Sequence, residues 1–333
     1  MKKNLRIKFT YNSALFIIAA LLYILFGLVN PLFFSYSTII DTIKLTAEIG
    51  IMALPLTMLI IMGCIDFSMC AILTLSSSIG GMVAHATSPL LGLLVTLLIG
   101  AACGSFNGFM VAKLKLPPLI STLAAMYLYR GITQGAVLGT GYGTNVAATS
   151  IATFFGSGHI LGIITQLWLF LLLAAVIHVT LSRTTYGRVL YAIGLNDNAA
   201  RFSGIDTVKT KFFTYVFAGV IFAVAGLVLS GRFSTIQFDS ADPYLMQVII
   251  ACVLGGVSMS GGRGTIMGTV LGVMIIGILK GGMNVVLLPQ TQQKIILGMV
   301  LLISLITFEL LRRRGLKVTG RQRLLEAASG AAK

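Results

Sequence analysis

Runs of about 20 apolar residues recur along the chain, separated by short polar or basic connections. A helix needs roughly that many residues to cross a hydrocarbon core of about 30 Å. Ten segments qualify: 11–32, 46–64, 68–87, 90–112, 117–138, 164–182, 211–230, 245–260, 265–283 and 294–311. The third, eighth and ninth are the richest in Gly and Ser, a composition that packed membrane helices tolerate. The pattern predicts an all-α polytopic membrane protein, with one transmembrane domain over residues 1–333. The first run follows the basic stretch Met1-Lys-Lys-Asn-Leu-Arg-Ile-Lys8, as a signal peptide would. It is longer than the usual apolar core of such a peptide and no small-residue cleavage site follows at Asn30-Pro31, so an uncleaved first span is expected.

Composition narrows the class further. Of 333 residues 57% are hydrophobic and only 10% charged, with a mean hydropathy of +0.97. That is too few charges to solvate the surface of a soluble enzyme, and too much apolar matter for a disordered chain. The net charge of +15 would suggest a nucleic-acid partner in a soluble protein, but the positions of the charges argue otherwise. With ten spans and a cytoplasmic N-terminus, 19 of the 24 basic residues fall on the cytoplasmic side. Lys44, Arg232, Lys280 and Lys294 lie towards the outside, and Arg130 falls within a span. The positive-inside rule therefore predicts both termini in the cytoplasm, with tails at 1–10 and 312–333 and a cytoplasmic loop at 183–210.

That loop carries a predicted short helix. Asn196 is a good N-cap, Asp197 puts a negative charge in the first turn, and Gly204 can adopt the left-handed stop. The intervening Asp197 to Ser203 segment, with Ala199, Ala200, Arg201 and Phe202, is too short to hold as a helix by itself. It reads either as an interfacial loop helix or as a docking helix for a cytoplasmic partner. Two glycine ladders, Gly100, Gly104 and Gly108 in the fourth span and Gly264, Gly268 and Gly272 in the ninth, predict close helix packing. If the chain is two five-span halves, these spans are counterparts in inverted repeats.

Polar residues within spans are candidates for a translocation path. Arg130 either meets a polar substrate or pairs with a helix end near the outer surface, and Asp66 is placed to cap the third span. Asp66, Ser68, Asn107, Thr122, Arg130 and Gln247 make up the candidate path, though each can equally hold helices together. Catalytic signals are absent. The three histidines and four cysteines have no metal-ligand spacing, and no nucleophile–base arrangement is visible. The segments Gly139-Thr-Gly-Tyr-Gly143 and Gly261-Gly-Arg-Gly264 lack the Lys-Ser/Thr ending of a phosphate-binding loop. No cofactor or metal is expected in this chain, and any ATP hydrolysis must belong to another subunit.

Four segments resemble the membrane permeases of bacterial sugar importers of the ribose, xylose, arabinose and galactose class, a family that includes permeases for autoinducer-2. The closest is Tyr186-Gly-Arg-Val-Leu-Tyr-Ala-Ile-Gly-Leu-Asn-Asp-Asn-Ala-Ala-Arg-Phe-Ser-Gly-Ile205, similar to the family's coupling segment. The others are Leu254–Thr269, the stretch Asn107–Leu123 followed by Arg130-Gly131, and Gly63-Cys-Ile-Asp-Phe-Ser-Met69. The last departs from the family's common Gly-Gly-Ile-Asp-Leu-Ser-Val-Gly at Cys64, Phe67, Met69 and Cys70. The resemblance implies a second permease, identical or related, two ATP-binding cassettes carrying ATP and Mg²⁺ on the cytoplasmic face, and a periplasmic binding protein. It also implies that Gly187, Arg188 and the Asn196–Gly204 stretch couple the permease to its cassettes in the inner membrane.

A proton- or sodium-driven carrier is the alternative, since inverted repeats suit it equally. Such carriers bury acidic residues in mid-span. Here Asp41, Glu48, Asp239 and Asp242 are expected at outer ends or loops, Asp197, Asp206, Glu309 and Glu326 inside, and only Asp66 near a span. The outer loop 139–163 and the Arg232–Pro243 segment are expected to form much of the docking face for a binding protein.

Overall fold

The computed structural model describes residues 11–138 and 146–306. They belong to two compact units, one ending at Leu288 and the other beginning at Pro289. The predicted tails and the Gly139–Gly143 segment lie outside the described residues.

The first unit is built almost wholly of helices, in the order read from the apolar runs. They are α1 (Tyr11–Val29), α2 (Tyr36–Ile61), α3 (Met69–Ala86), α4 (Pro89–Gly108), α5 (Pro118–Leu138), the short α6 (Ser150–Ser157) and α7 (Thr165–Arg183). After these come α8 (Thr185–Leu195), α9 (Asp197–Phe202), α10 (Thr207–Phe233), α11 (Asp242–Leu254) and α12 (Ile266–Val285). The described part of the second unit is a single apolar helix, α13 (Gln290–Ile306). Among the described helices α1, α2, α3, α4 with its extension to Lys113, α7, α10 and α12 are long and apolar enough to cross a membrane. In α5, 21 residues long, Arg130 and Gln134 dilute the apolar run.

Three boundaries differ from expectation. Helix α2 starts at Tyr36, capped by Ser35, about ten residues before the apolar run at 46, because Thr and Asp side chains are tolerated in its first turns. It spans 26 residues, about 39 Å at 1.5 Å per residue, so Glu48 lies well inside it. The expected eighth span, 245–260, is instead the 13-residue α11, about 20 Å long, which stops where Gly255 and Gly256 break the helix. A glycine-rich turn from Val257 to Gly264 completes that path. Non-helical backbone is tolerated at membrane depth where protein surrounds it, and Val257, Ser258, Gly261 and Gly262 are buried. The third concerns Gly264, expected as the first rung of the ninth-span ladder. It precedes α12, with a φ of 152° that suits glycine, and so belongs to the turn.

The ladders pack as the small-residue argument requires, but on unequal partners. Gly100 faces Gly219 and Ala223, Gly104 faces Tyr215 and Val216, and Gly108 faces Phe212, so the whole α4 ladder lies against α10. Gly268 and Gly272 of α12 face Gly255 and Ala251 at the end of α11. A different pair, Gly277 and Gly281, brings α12 against Thr46 and Thr42 of α2.

Candidate functional site

The expected coupling segment forms one end of the first unit. Asn196 caps α9 by accepting the Ala199 amide at 3.0 Å, Ser203 ends it, and Gly204 takes a φ of 83°. The expected cap at Asn196 and left-handed stop at Gly204 are both present, and the helix between them ends at Phe202, one residue sooner than expected. What the sequence reading missed is α8, which precedes α9 directly. Thr184 caps it through the Gly187 amide, and Leu190 and Ile193, three residues apart, bury its apolar face. A cap followed by a buried i, i+3 pair is a signal that the sequence carries.

The marginal α9 is held from beneath. Ala200 is buried, while Phe202 stands 93% exposed beside exposed Ala199, Arg201 and Ser203. Asp197 reaches across to Lys211 of α10 at 2.9 Å. Asp206 caps α10 through the Lys209 amide, and that hydrogen bond leads in holding its carboxyl below the usual carboxylate range. Gly187 sits against the backbone of Thr180 and Leu181, and Arg188 is exposed. The α8–α9 pair also rests on the glycine-rich turn before α12. Gly194 packs against the Ile61 carbonyl and the Gly262 amide, Gly262 N–H donates to Ile61 O at 2.8 Å, and the Tyr191 hydroxyl donates to Gly264 O at 2.7 Å. Glycine is required at 194 because the Ile61 and Gly262 backbones leave no room for a Cβ, and at 262 because its φ of 71° is left-handed.

The six candidate path residues separate into two groups. Asp66, Ser68, Asn107 and Thr122 belong to one buried polar network. Asp66 Oδ1 accepts the Ser68 amide at 2.7 Å and the Ser68 hydroxyl at 2.6 Å, and Oδ2 accepts Asn107 Nδ2 at 3.3 Å. Asn107 Nδ2 also donates to Ser68 Oγ at 2.7 Å, and the Tyr129 hydroxyl donates to Asn107 Oδ1 at 2.9 Å. Thr122 Oγ1 accepts the Phe67 amide at 3.2 Å. The network ties the α2–α3 connection to α4 and α5. It corrects one expectation: Asp66 does not cap the amides of the first turn of α3, whose N-cap is Ser68. Three donors converge on a carboxylate that no solvent reaches. Asp66→Asn replaces one acceptor by a donor facing Asn107 and is expected to cost about 2 kcal/mol. The thermal unfolding midpoint of the purified chain checks this, and an unshifted midpoint would contradict it.

The other group lies at the opposite end, around α11. Arg130 of α5 pairs with Asp242, the first residue of α11, as in the second of its two sequence readings. Gln247, one turn along α11 from Tyr244, is buried with its Oε1 unpartnered. Beside them lies a residue that was misplaced from sequence. Glu48 is not at an outer end; its side chain is 1% exposed, with Oε2 accepting Arg232 Nη1 at 2.6 Å and the Tyr244 hydroxyl at 2.8 Å. Its Oε1 has no partner. The error followed from starting α2 ten residues late. Next to this cluster β1 (Val146–Ala147) pairs antiparallel with β2 (Thr235–Ile236), and α6 packs on the C-terminal end of α10 at Gly231. The His85 ring meets the Ala147 carbonyl at 3.0 Å. Two expected outer segments are thus joined. Among the described residues all four cysteines are free and buried, and no group of His, Cys, Asp or Glu is placed to hold a metal.

A bundle of long apolar helices with a capped helix pair presented at one end defines a polytopic membrane protein. The chain belongs to the family described as branched-chain amino acid transport system / permease component, which matches residues 38–305. It is similar to the ribose import permease protein RbsC of Bacillus subtilis, 37% identical over 290 residues, covering 86% of this chain and 89% of that one. RbsC of Haemophilus influenzae is 33% identical over 304 residues, covering 90% and 93%. The autoinducer 2 import system permease protein LsrD of Photorhabdus temperata is 31% identical over 307 residues, covering 91% and 92%.

Proposed function

We propose that this chain is the transmembrane subunit of an ATP-binding cassette importer that moves a sugar or sugar-like solute across the bacterial inner membrane. The relatives named for ribose and autoinducer-2 import support the solute class. The observation that carries the mechanism is α9, a two-turn helix braced by α10 and by α8, which itself rests on the glycine turn, with Phe202 exposed. A rigidly seated helix with an uncovered aromatic suits a groove on a cassette ATPase. Movement of that groove would be passed through Tyr191 and Gly262 to α2 and α12. ATP and Mg²⁺ would sit on the cassettes, and both termini would be cytoplasmic.

A second permease, identical or related, completes the pathway. The joined segments around β1, β2 and α6 are our candidate docking face for a periplasmic binding protein. The path would pass α11, where Gln247 Oε1 and Glu48 Oε1 are left to accept hydroxyl groups. An inverted repeat relating each span to the fifth one after it is supported by packing. With α10, α11 and α12 as spans seven to nine, α4 packs on α3 and α10 while α12 packs on α11 and α2. Exchanging the halves interconverts these pairs.

Buried Glu48 and Asp66 are what a proton-driven carrier would need. Glu48 is nonetheless tied to Arg232, and Asp66 receives three donors. The test is uptake in vesicles holding the permease, its cassettes and its binding protein, with labelled pentoses, hexoses and autoinducer-2. Uptake is expected to require ATP; uptake without ATP that follows an imposed proton gradient would refute the proposal. Gly204→Val, strained at a φ of 83°, is expected to keep ATPase activity while lowering uptake at least about tenfold. Equal uptake by this variant and the parent would sink the coupling role.

A further inference from the structure

A cavity of about 410 Å³ lies beneath α9, between it, the start of α10 and the α4–α5 connection. Its lining is electrically unbalanced. Lys115, Arg201 and Lys211 line it against a single carboxylate, Asp197, with the Asn198 amide beside them. Asp197 is already paired with Lys211, itself only 17% exposed at the side chain, so the cavity keeps a surplus of two positive charges. Among the described residues neither Lys115 nor Arg201 has an ion-pair partner.

The backbone that delivers Lys115 is unusual. After α4 the helix widens into a π turn, Phe109–Lys113, and the Leu114 and Leu116 amides close back onto Phe109 O and Met110 O, both at 3.1 Å. Between them Lys115 takes a φ of 57°, the left-handed region that disfavours any side chain other than glycine or a short polar one. Nearby Lys113 is placed differently, over the Phe109 ring at 5.6 Å. A basic-residue excess on this side needs only solvated lysines. It does not require a lysine in a strained turn facing a recess. Backbone strain and π turns concentrate where a side chain is held for a ligand.

We propose that this cavity is a phosphate-binding site, taking either a soluble phosphate monoester or the phosphate of a lipid headgroup. A monoester carries about −1.5 to −2 at pH 7, which matches the surplus. Basic pockets between membrane helices on the cytoplasmic side are equally suited to anionic headgroups. Occupancy would bridge the α4–α5 connection to α9 and stiffen the coupling helix. The site does not depend on which solute is carried.

The test is thermal unfolding of the full-length permease in zwitterionic detergent at constant ionic strength, with glycerol 3-phosphate and, separately, phosphatidylglycerol. One of them is expected to raise Tm by about 3 °C at a concentration tenfold above its Kd. Lys115→Gly suits the left-handed backbone, so without ligand it should melt no lower than the parent, yet it should lose the ligand shift. Arg201→Gln should lose the shift as well. A shift with glycerol 3-phosphate assigns a soluble monoester, and a shift with phosphatidylglycerol alone assigns a headgroup. No shift with either probe, or a full shift surviving either substitution, overturns the proposal.

Discussion

Arg232→Ala is expected to destabilise the chain by about 3–5 kcal/mol, because it strands the Glu48 carboxylate inside α2 without its cation. Glu48 Oε2 would keep only the Tyr244 hydroxyl, and Oε1 is already unpartnered. An isolated charge is costlier in a membrane bundle than in a soluble core, since the lipid surround supplies no solvent. The same reasoning predicts rescue. In the double variant Arg232→Ala/Glu48→Gln no charge is buried, and most of the lost stability should return. Tyr244→Phe removes one hydrogen bond and should cost only about 1–2 kcal/mol. Thermal unfolding of the four purified proteins reads the series. A double variant no more stable than Arg232→Ala would show that Arg232 acts through packing instead.

The course of the helices was legible because lipid imposes length as well as apolarity, and each strong run became a helix. Boundaries failed where the two requirements part. Helix α2 begins among Thr38, Asp41, Thr42 and Lys44, which no apolar window includes, and that error hid the burial of Glu48. Helix α11 ends at Gly255 because a glycine turn already buried by protein replaces the missing helix. The two ends of α9 were the most readable features. Asn196 and Gly204 act through local backbone chemistry that needs no partner, so their positions followed directly from residue type. Pairings over long sequence separation were not readable. Nothing near Asp197 identifies Lys211, nothing near Arg130 identifies Asp242, and the partner of Glu48 is 184 residues away. The resemblance supplied what spacing could not, by marking both Tyr186–Ile205 and Leu254–Thr269. These two segments turn out to touch, through Gly194 on Gly262 and Tyr191 on Gly264.

Glycine spacing shows the same limit and yields the second large prediction. Gly131 and Gly135 in α5 have the same four-residue spacing as Gly100, Gly104 and Gly108 in α4, yet a Cβ at either α5 position would meet nothing within 4 Å. At Gly104 it would run into the Tyr215 carbonyl oxygen and the Val216 Cα, and Gly100 and Gly219 exclude one another in the same way. Those obstacles are backbone, which cannot turn aside as a side chain does, so the helices must separate. The α4–α10 contact is the most extensive helix pairing among the described residues, and spreading it also disturbs Asn107 and Tyr215, buried on the two sides. Gly104→Val is therefore expected to cost about 3 kcal/mol, the upper range for overpacking. Gly131→Ala and Gly135→Ala should leave the chain as stable as before or raise it by up to about 1 kcal/mol through helix propensity. Unfolding midpoints of the three variants separate packing from spacing. A Gly104→Val protein that melts with the parent would mean that α4 and α10 are not held by the close approach of their backbones.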